Sequence, residues 1–395
     1  MHSTPDLRVP QNGQSLARPQ IVGLTGIRAL AAAWVVIEHF RYALFGLFPG
    51  SRPAARFIES GFLGVEIFFV LSGFIIAYTY AHKFEKFTWG KYRRFMLLRF
   101  ARIYPVHLVT LLAVLALVVA AAFAGIELNS SEGHTPGNFI ANVLMLQSVP
   151  PFSPWNLPAW SICAEFAAYL AFPLVAVWVA RINSARHGFV AAGAVLVVGA
   201  ALLLVIAAYV NSSPTGYELI WARISIEFTA GTLIYAGWRH LGTGKQGPWW
   251  DWAAGASFLA ILVVIYWTNA GSAFVLAAVP FIGVFVLSCA GATGLVGRFL
   301  GSRLMVWGGK ISYSVYMTHF VLLMVFGKLL PWEAFVDGSL VARVGILGGY
   351  YVAVIIAGAV GYYLVEEPAR QAIRKIVEAK GGMRAPKITH PTPVL

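Results

Sequence analysis

The chain has 395 residues, 59% of them hydrophobic and only 11% charged, with a mean hydropathy of +0.73 and a formal net charge of +13. That balance excludes an ordinary soluble domain. Its two cysteines, Cys163 and Cys289, both fall inside apolar runs, which excludes a disulfide framework.

In chain order, residues 1–20 are polar, and the first apolar run carries an arginine, so no cleavable signal peptide is expected. Stretches long enough to cross a bilayer then recur. The predicted spans are 27–46, 61–81, 103–124, 160–182, 188–210, 218–238, 249–268, 272–292, 311–330 and 344–365. The expected fold class is therefore all-α, a polytopic membrane protein of about ten transmembrane helices. Its expected parts are an N-terminal tail (1–26), a membrane domain (27–366) and a basic C-terminal tail (367–395). Most of the 29 Lys and Arg lie in the tails and the even-numbered loops. Residues 82–102 alone hold Lys83, Lys86, Lys91, Arg93, Arg94, Arg99 and Arg102, whereas the alternate loops hold only Arg52, Arg56, Lys328 and Arg343. This is the positive-inside pattern, with both termini cytoplasmic. The basic excess thus reflects topology and contact with membrane lipids, not nucleic-acid binding.

Span 1 carries Arg28 and His39, eleven helical steps apart. They share a face and stand about 16 Å apart along the axis. Ionisable groups inside a membrane helix mark a functional site by default. With the expected topology, Glu66 of span 2 lies about 7 Å below the outer surface. Glu165 of span 4 and Arg223 of span 6 fall at a similar depth, with Glu227 placed as an i,i+4 partner of Arg223. A histidine, two carboxylates and an arginine from four helices would then form one layer. A histidine held by a carboxylate can take a proton from an alcohol, and a nearby cation can stabilise an oxyanion. No metal-ligand cluster, nucleophile elbow or Walker loop accompanies them, and Cys163 reads as a small buried hydrophobe. At the opposite level Arg28, Arg99 and Arg102 form a candidate phosphate clamp. The alternative for those arginines is topological anchoring. For Ser72–Gly73 it is close helix packing, and for Glu366 and Glu367 it is pairing with basic residues. His319 is read either as a lining of the acceptor path or as a buried structural histidine.

These segments together resemble the membrane acyltransferase-3 family. Arg28-x10-His39, GVEIFFVLSGFII (64–76), RFARIYP (99–105), NLPAWSICAEF (156–166), RISIEFTAG (223–231), ISYSVYMTH (311–319) and YYLVEEP (362–368) follow its pattern in order. The resemblance covers about residues 21–370. It implies a ten-helix protein of the bacterial inner membrane that moves an acyl group, often acetyl from acetyl-CoA, onto a hydroxyl. Acceptors in the family are envelope glycans and, in some members, secreted small molecules such as macrolides. Carried over residue by residue, the essential histidine is His39 and its basic partner Arg28. The acidic position is Glu66, a residue longer than the commoner aspartate, and the S-G-F turn begins at Ser72. The R-x-x-R pair is Arg99 and Arg102, and the W-S-x-x-x-E element supplies Glu165.

The sequence therefore predicts a membrane O-acyltransferase using acyl-CoA as donor substrate and no metal. His39 would act as general base or acyl carrier, oriented by Glu66 or Glu165, with Arg223 or a backbone N–H as oxyanion donor. Arg28, Arg99, Arg102 and Ser72 would bind the donor. The acceptor is a glycan or small-molecule hydroxyl, reached directly or through a separate periplasmic acyl-handling protein. A proton-coupled transporter or glycan flippase using the same charges is the alternative.

Overall fold

A computed structural model describes residues 20–126, 133–210, 216, 219–268 and 272–380; the outer parts of both expected tails lie outside them. Each expected span coincides with a helix: α1 Val22–His39, α2 Leu63–Tyr80, α3 Trp89–Phe123, α4 Ala159–Arg181, α5 Ala185–Tyr209, α6 Ile220–Trp238, α7 Trp249–Trp267, α8 Val279–Gly291, α9 Arg303–Leu329 and α10 Leu340–Gly361. Among the described residues nine segments are long and apolar enough to cross a membrane, and the protein is an all-α polytopic membrane protein. The helix outside that set is α6, whose apolar run is interrupted by Arg223 and Glu227. It is nonetheless the interior helix, with 14 of its 19 residues buried, and α2, α4, α5 and α8 pack around it. By contrast α5 turns most of its surface outward.

Three of the differences from the sequence expectation bear on the site, each for a local reason. The first helix ends at His39 instead of continuing to residue 46, because Phe40 leaves the helical region (φ −90°, ψ 10°) and a short helix, Arg41–Leu47, restarts beyond it. His39 is thus in a last turn, not mid-helix. The third begins at Trp89, fourteen residues before the expected start, under a Thr88 cap that accepts from the Lys91 N–H. Arg93, Arg94, Arg99 and Arg102 are therefore helical, and Pro105 sits deep inside α3 and not in its first turn. The last passes through a π-helical turn at Tyr362–Glu366 into the helix Glu367–Lys380, which packs against α3. Such turns shift the register of the side chains that follow.

At the crossing of α2 and α6 the backbones come into contact. A Cβ at Gly73 would stand 2.0 Å from the Phe228 carbonyl oxygen, and one at Gly231 would stand 1.9 Å from that of Val70. The two glycines form reciprocal notches that let the backbones touch, as small residues do between membrane helices. Packing, expected for Ser72–Gly73, is what Gly73 does. Outside the helices, residues 133–160 fold into a compact segment. Asn138 donates to Ser153 Oγ at 2.8 Å, Asn142 donates to the Ser153 carbonyl at 2.9 Å, and Asn156 donates to the Met317 carbonyl at 2.9 Å. The last bond fastens this segment to α9 two residues before His319.

Gly73→Ala should lower the thermal unfolding midpoint in detergent, because the added methyl meets backbone that cannot yield; overpacking of this kind costs about 1–3 kcal/mol. Gly90→Ala, where nothing lies within 4 Å of the new Cβ, is the control and should leave the midpoint unchanged.

Candidate active site

His39 lies partly buried at the end of α1. Its Nδ1 is 2.9 Å from the Val35 carbonyl oxygen and 3.0 Å from Glu38 Oε2. The Val35 carbonyl is an acceptor only, so Nδ1 carries the proton and donates to it, with the Glu38 carboxylate in ion-pair contact beside that bond. In the neutral ring, Nε2 then holds the free lone pair. Arg41, one turn on, donates to Glu38 Oε1 at 2.5 Å and to the Glu38 carbonyl at 3.0 Å. Across from His39 stands the fully buried His319 of α9, ring centroids 4.9 Å apart and edge to face, with the Phe320 ring at 5.9 Å. The expectation that Glu66 or Glu165 orients His39 does not hold. Both are engaged elsewhere, and the carboxylate against the ring belongs to the adjacent residue, Glu38.

Glu66 and Arg223 are completely buried and form an ion pair between α2 and α6. Arg223 also lies over the Trp160 ring, 5.5 Å from its centroid. The partner expected for Arg223 was Glu227 on its own helix. The tight α2–α6 crossing brings Glu66 within reach instead, and the Glu227 carboxyl is buried without a hydrogen-bond partner. Arg223, expected as an oxyanion donor, does not line the cavity described next.

That cavity, about 100 Å³, lies between α1, α2, α3, α4 and α9 and is lined by Arg28, Arg99, Arg102, Ser72, Glu165 and four tyrosine and serine hydroxyls. The structure thus brings all four expected donor-binding residues together. Glu165 sits with them and not in the histidine layer, because Ser72 and Tyr169 donate to its Oε1 at 2.7 and 2.5 Å. Arg102 is paired with the buried Glu366, whose other oxygen accepts from Ser314 at 2.8 Å. Pairing with a basic residue is therefore the role of Glu366, and its partner is one of the clamp arginines. Arg99 donates to the Tyr80 hydroxyl at 3.1 Å. Even so, Arg28 Nε and Arg99 Nε are buried without a hydrogen-bond partner. Unmet donors of this kind beside a cavity call for an acceptor.

Tyr316 connects the two regions. It lines the cavity, shares a 2.9 Å hydrogen bond with Ser161, and its ring lies 5.8 Å from that of His319. Sequence reasoning missed Tyr313 and Tyr316, although ISYSVYMTH carries the signal: residues 313, 316 and 319 recur every three positions, one stripe of a helix. It missed Glu38 as well, because helical neighbours one residue apart ordinarily point in different directions.

Interior charges gathered around a cavity in an all-α membrane bundle define a membrane enzyme or transporter, and similarity to known proteins decides between them. The acyltransferase domain family, acyltransferase-3, matches residues 21–361, and the chain belongs to it. It is 28% identical to an acyltransferase, MdmB, of Streptomyces mycarofaciens, over 95% of this chain and 97% of that protein. It is 22% identical to the O-acetyltransferase OatA of Staphylococcus aureus over 88% of this chain, but spans only 57% of that relative. A shorter match, 31% identical, covers 47% of this chain and 93% of protein 2 in the picA locus of Rhizobium radiobacter. No solved structure matches. The protein is a membrane O-acyltransferase.

Glu66→Gln removes the ion-pair partner of Arg223 and leaves only the Glu227 carboxyl nearby in a dry interior, a loss of up to about 3–5 kcal/mol. Abundance in the membrane and the unfolding midpoint should both fall. Adding Arg223→Met to Glu66→Gln should restore much of the midpoint in a detergent thermal-shift assay, since the orphaned charge is gone.

Proposed function

We propose that the acyl donor is acyl-CoA, acetyl-CoA in the first instance, and that it enters the arginine-lined cavity from the cytoplasm. The observation that carries this reading is the pair of buried, unpartnered guanidinium nitrogens on Arg28 and Arg99 facing one cavity with Arg102. Guanidinium groups bind phosphate oxygens in a bidentate fork. The cavity follows α2 from Val65 to Ile76, about 16 Å at helical rise, the length of a slender arm and not the width of a nucleotide. The nucleotide and its phosphates stay at the arginine end, and the pantetheine arm runs toward Tyr316.

At the far end His39 acts on the acceptor hydroxyl. Nε2 takes the proton as the oxygen attacks the thioester carbonyl. The C–S bond breaks, and the departing thiolate receives a proton from the imidazolium. An acyl-histidine route uses the same nitrogen as nucleophile, so either variant requires Nε2 to be unprotonated. The acceptor is a hydroxyl of an envelope glycan or secreted metabolite on the outer side of the inner membrane. Mass spectrometry of both pools, with and without the gene, identifies which.

His39→Ala should abolish transfer while still binding acyl-CoA in detergent. Arg28→Ala or Arg99→Ala should weaken that binding by about 10-fold or more, the scale of a charged hydrogen bond. Arg28 and Arg99 variants that bind as tightly as wild type would sink the phosphate site. Arg102→Ala is less clean, because it also orphans Glu366.

Sidedness is tested in vesicles of known orientation. Labelled acyl-CoA on the cytoplasmic face should acylate an impermeant acceptor confined to the opposite face. Transfer only when both substrates share the cytoplasmic face would refute the transmembrane arrangement.

A further inference from the structure

Granted His39 as the working base or nucleophile proposed above, we propose that Glu38 is its positioning residue, fixing ring orientation and tautomer, with Arg41 holding Glu38 in place. The three residues form one continuous chain of contacts: Arg41 Nη1 to Glu38 Oε1 at 2.5 Å, then Glu38 Oε2 to His39 Nδ1 at 3.0 Å. The Val35 carbonyl accepts from the same Nδ1 at 2.9 Å. The Val35 bond selects the neutral tautomer protonated at Nδ1 with Nε2 free, and the Glu38 carboxylate beside that N–H favours the same one.

The helix alone does not make this arrangement. The Val35 contact is an i−4 bond available to a histidine in any last turn, and it orients the ring without changing its charge balance. Glu38 adds a formal negative charge beside a ring that becomes a cation when Nε2 takes a proton. Left unclamped, a glutamate at the edge of a bundle would turn to water. Arg41 prevents this by gripping both the carboxylate and the carbonyl of the same residue. The groups placed against the ring are Glu38 and Arg41 on its own segment and His319 and Phe320 on α9. His319 is fully buried and packs edge to face against the ring. Among the described residues, Glu38 supplies the carboxylate in contact with His39.

The test uses purified full-length protein in detergent or vesicles, with Glu38→Ala, Glu38→Gln, Glu38→Asp, Arg41→Gln and His39→Ala. Glu38→Ala should lower kcat by about 100-fold, within the range of acid–base contributions, while KM for acetyl-CoA stays at the wild-type value. Glu38→Gln keeps size and an acceptor oxygen, and should retain the fold and the tautomer while losing most of the rate. Glu38→Asp should recover part of it, and Arg41→Gln should show a smaller loss of the same kind. Nitrogen-15 spectra of histidine-labelled protein, assigned by difference from His39→Ala, should show the Nδ1–H tautomer for His39 in wild type and a mixture in Glu38→Ala.

Wild-type kcat in both Glu38→Ala and Glu38→Gln would overturn the assignment, as would an Nε2–H tautomer in wild type, which needs no variant to fold. A general loss of structure at Glu38 would lower binding and rate together, which the KM and kcat split separates. If His39→Ala retained transfer, the histidine chemistry itself would fall. If His39→Ala is dead and the Glu38 variants are normal, only the role of Glu38 does.

Discussion

Everything in the interior is arranged around the buried ion pair between Glu66 and Arg223. Two ions removed from water are tolerated only when their geometry is fixed, and here it is fixed by backbone contact. Gly73 and Gly231 notch α2 and α6 together and set both the axial register and the rotation of α2. Six residues separate Glu66 from Ser72, which turns Ser72 about 240° round the helix axis. One face of α2 is therefore clamped to α6, while another is left to meet Glu165 of α4 and line the cavity. The pair that looked like chemistry is what aims the chemistry.

The same fact explains what could be read from the sequence. Span positions were legible because apolar length is dictated by the bilayer, residue by residue, with no reference to partners. So were the arginines of the cavity, since R-x10-H and R-x-x-R place side chains on defined faces of single helices. Which carboxylate meets which cation was not legible. Glu66, Glu165 and Glu227 occupy similar depths, and only helix rotation separates them. That rotation is set by the glycine notches, whose partners are backbone atoms on another helix and leave no trace in side-chain pattern. The start of α3 at Trp89 was hidden for another reason. Its first turns are rich in lysine and arginine, which lowers hydropathy without lowering helix propensity, so a helix extending past the apolar core reads as a loop.

The arginine cavity is not an open sink for anions. Arg102 is matched by Glu366, the Glu165 carboxylate lines the same cavity, and Arg99 donates to the Tyr80 hydroxyl, so part of the charge is compensated within the protein, as a buried cation requires. What is left over is directional: unmet N–H groups on Arg28 and Arg99, side by side. Compensation of this kind keeps the empty bundle stable while leaving a few donors to a ligand, and it arises from the π-helical turn that swings Glu366 beneath α9.

Two helices, α1 and α9, run from the arginine end to the histidine end. They pack against each other along their length, Arg28 and His39 marking one and Tyr313, Tyr316 and His319 the other. His39 is not part of the cavity lining; Tyr316 and His319 stand between. The Tyr316 hydroxyl is tied to Ser161 at 2.9 Å and to the Pro158 carbonyl at 3.2 Å, which fastens this barrier to the start of α4. On the reading proposed here that barrier keeps a bound thioester from water entering at the partly exposed His39 until an acceptor occupies the outer side. The separation of donor cavity and base is then part of how hydrolysis is avoided, and the stripe of α9 that carries both tyrosines and His319 is the element on which that separation depends.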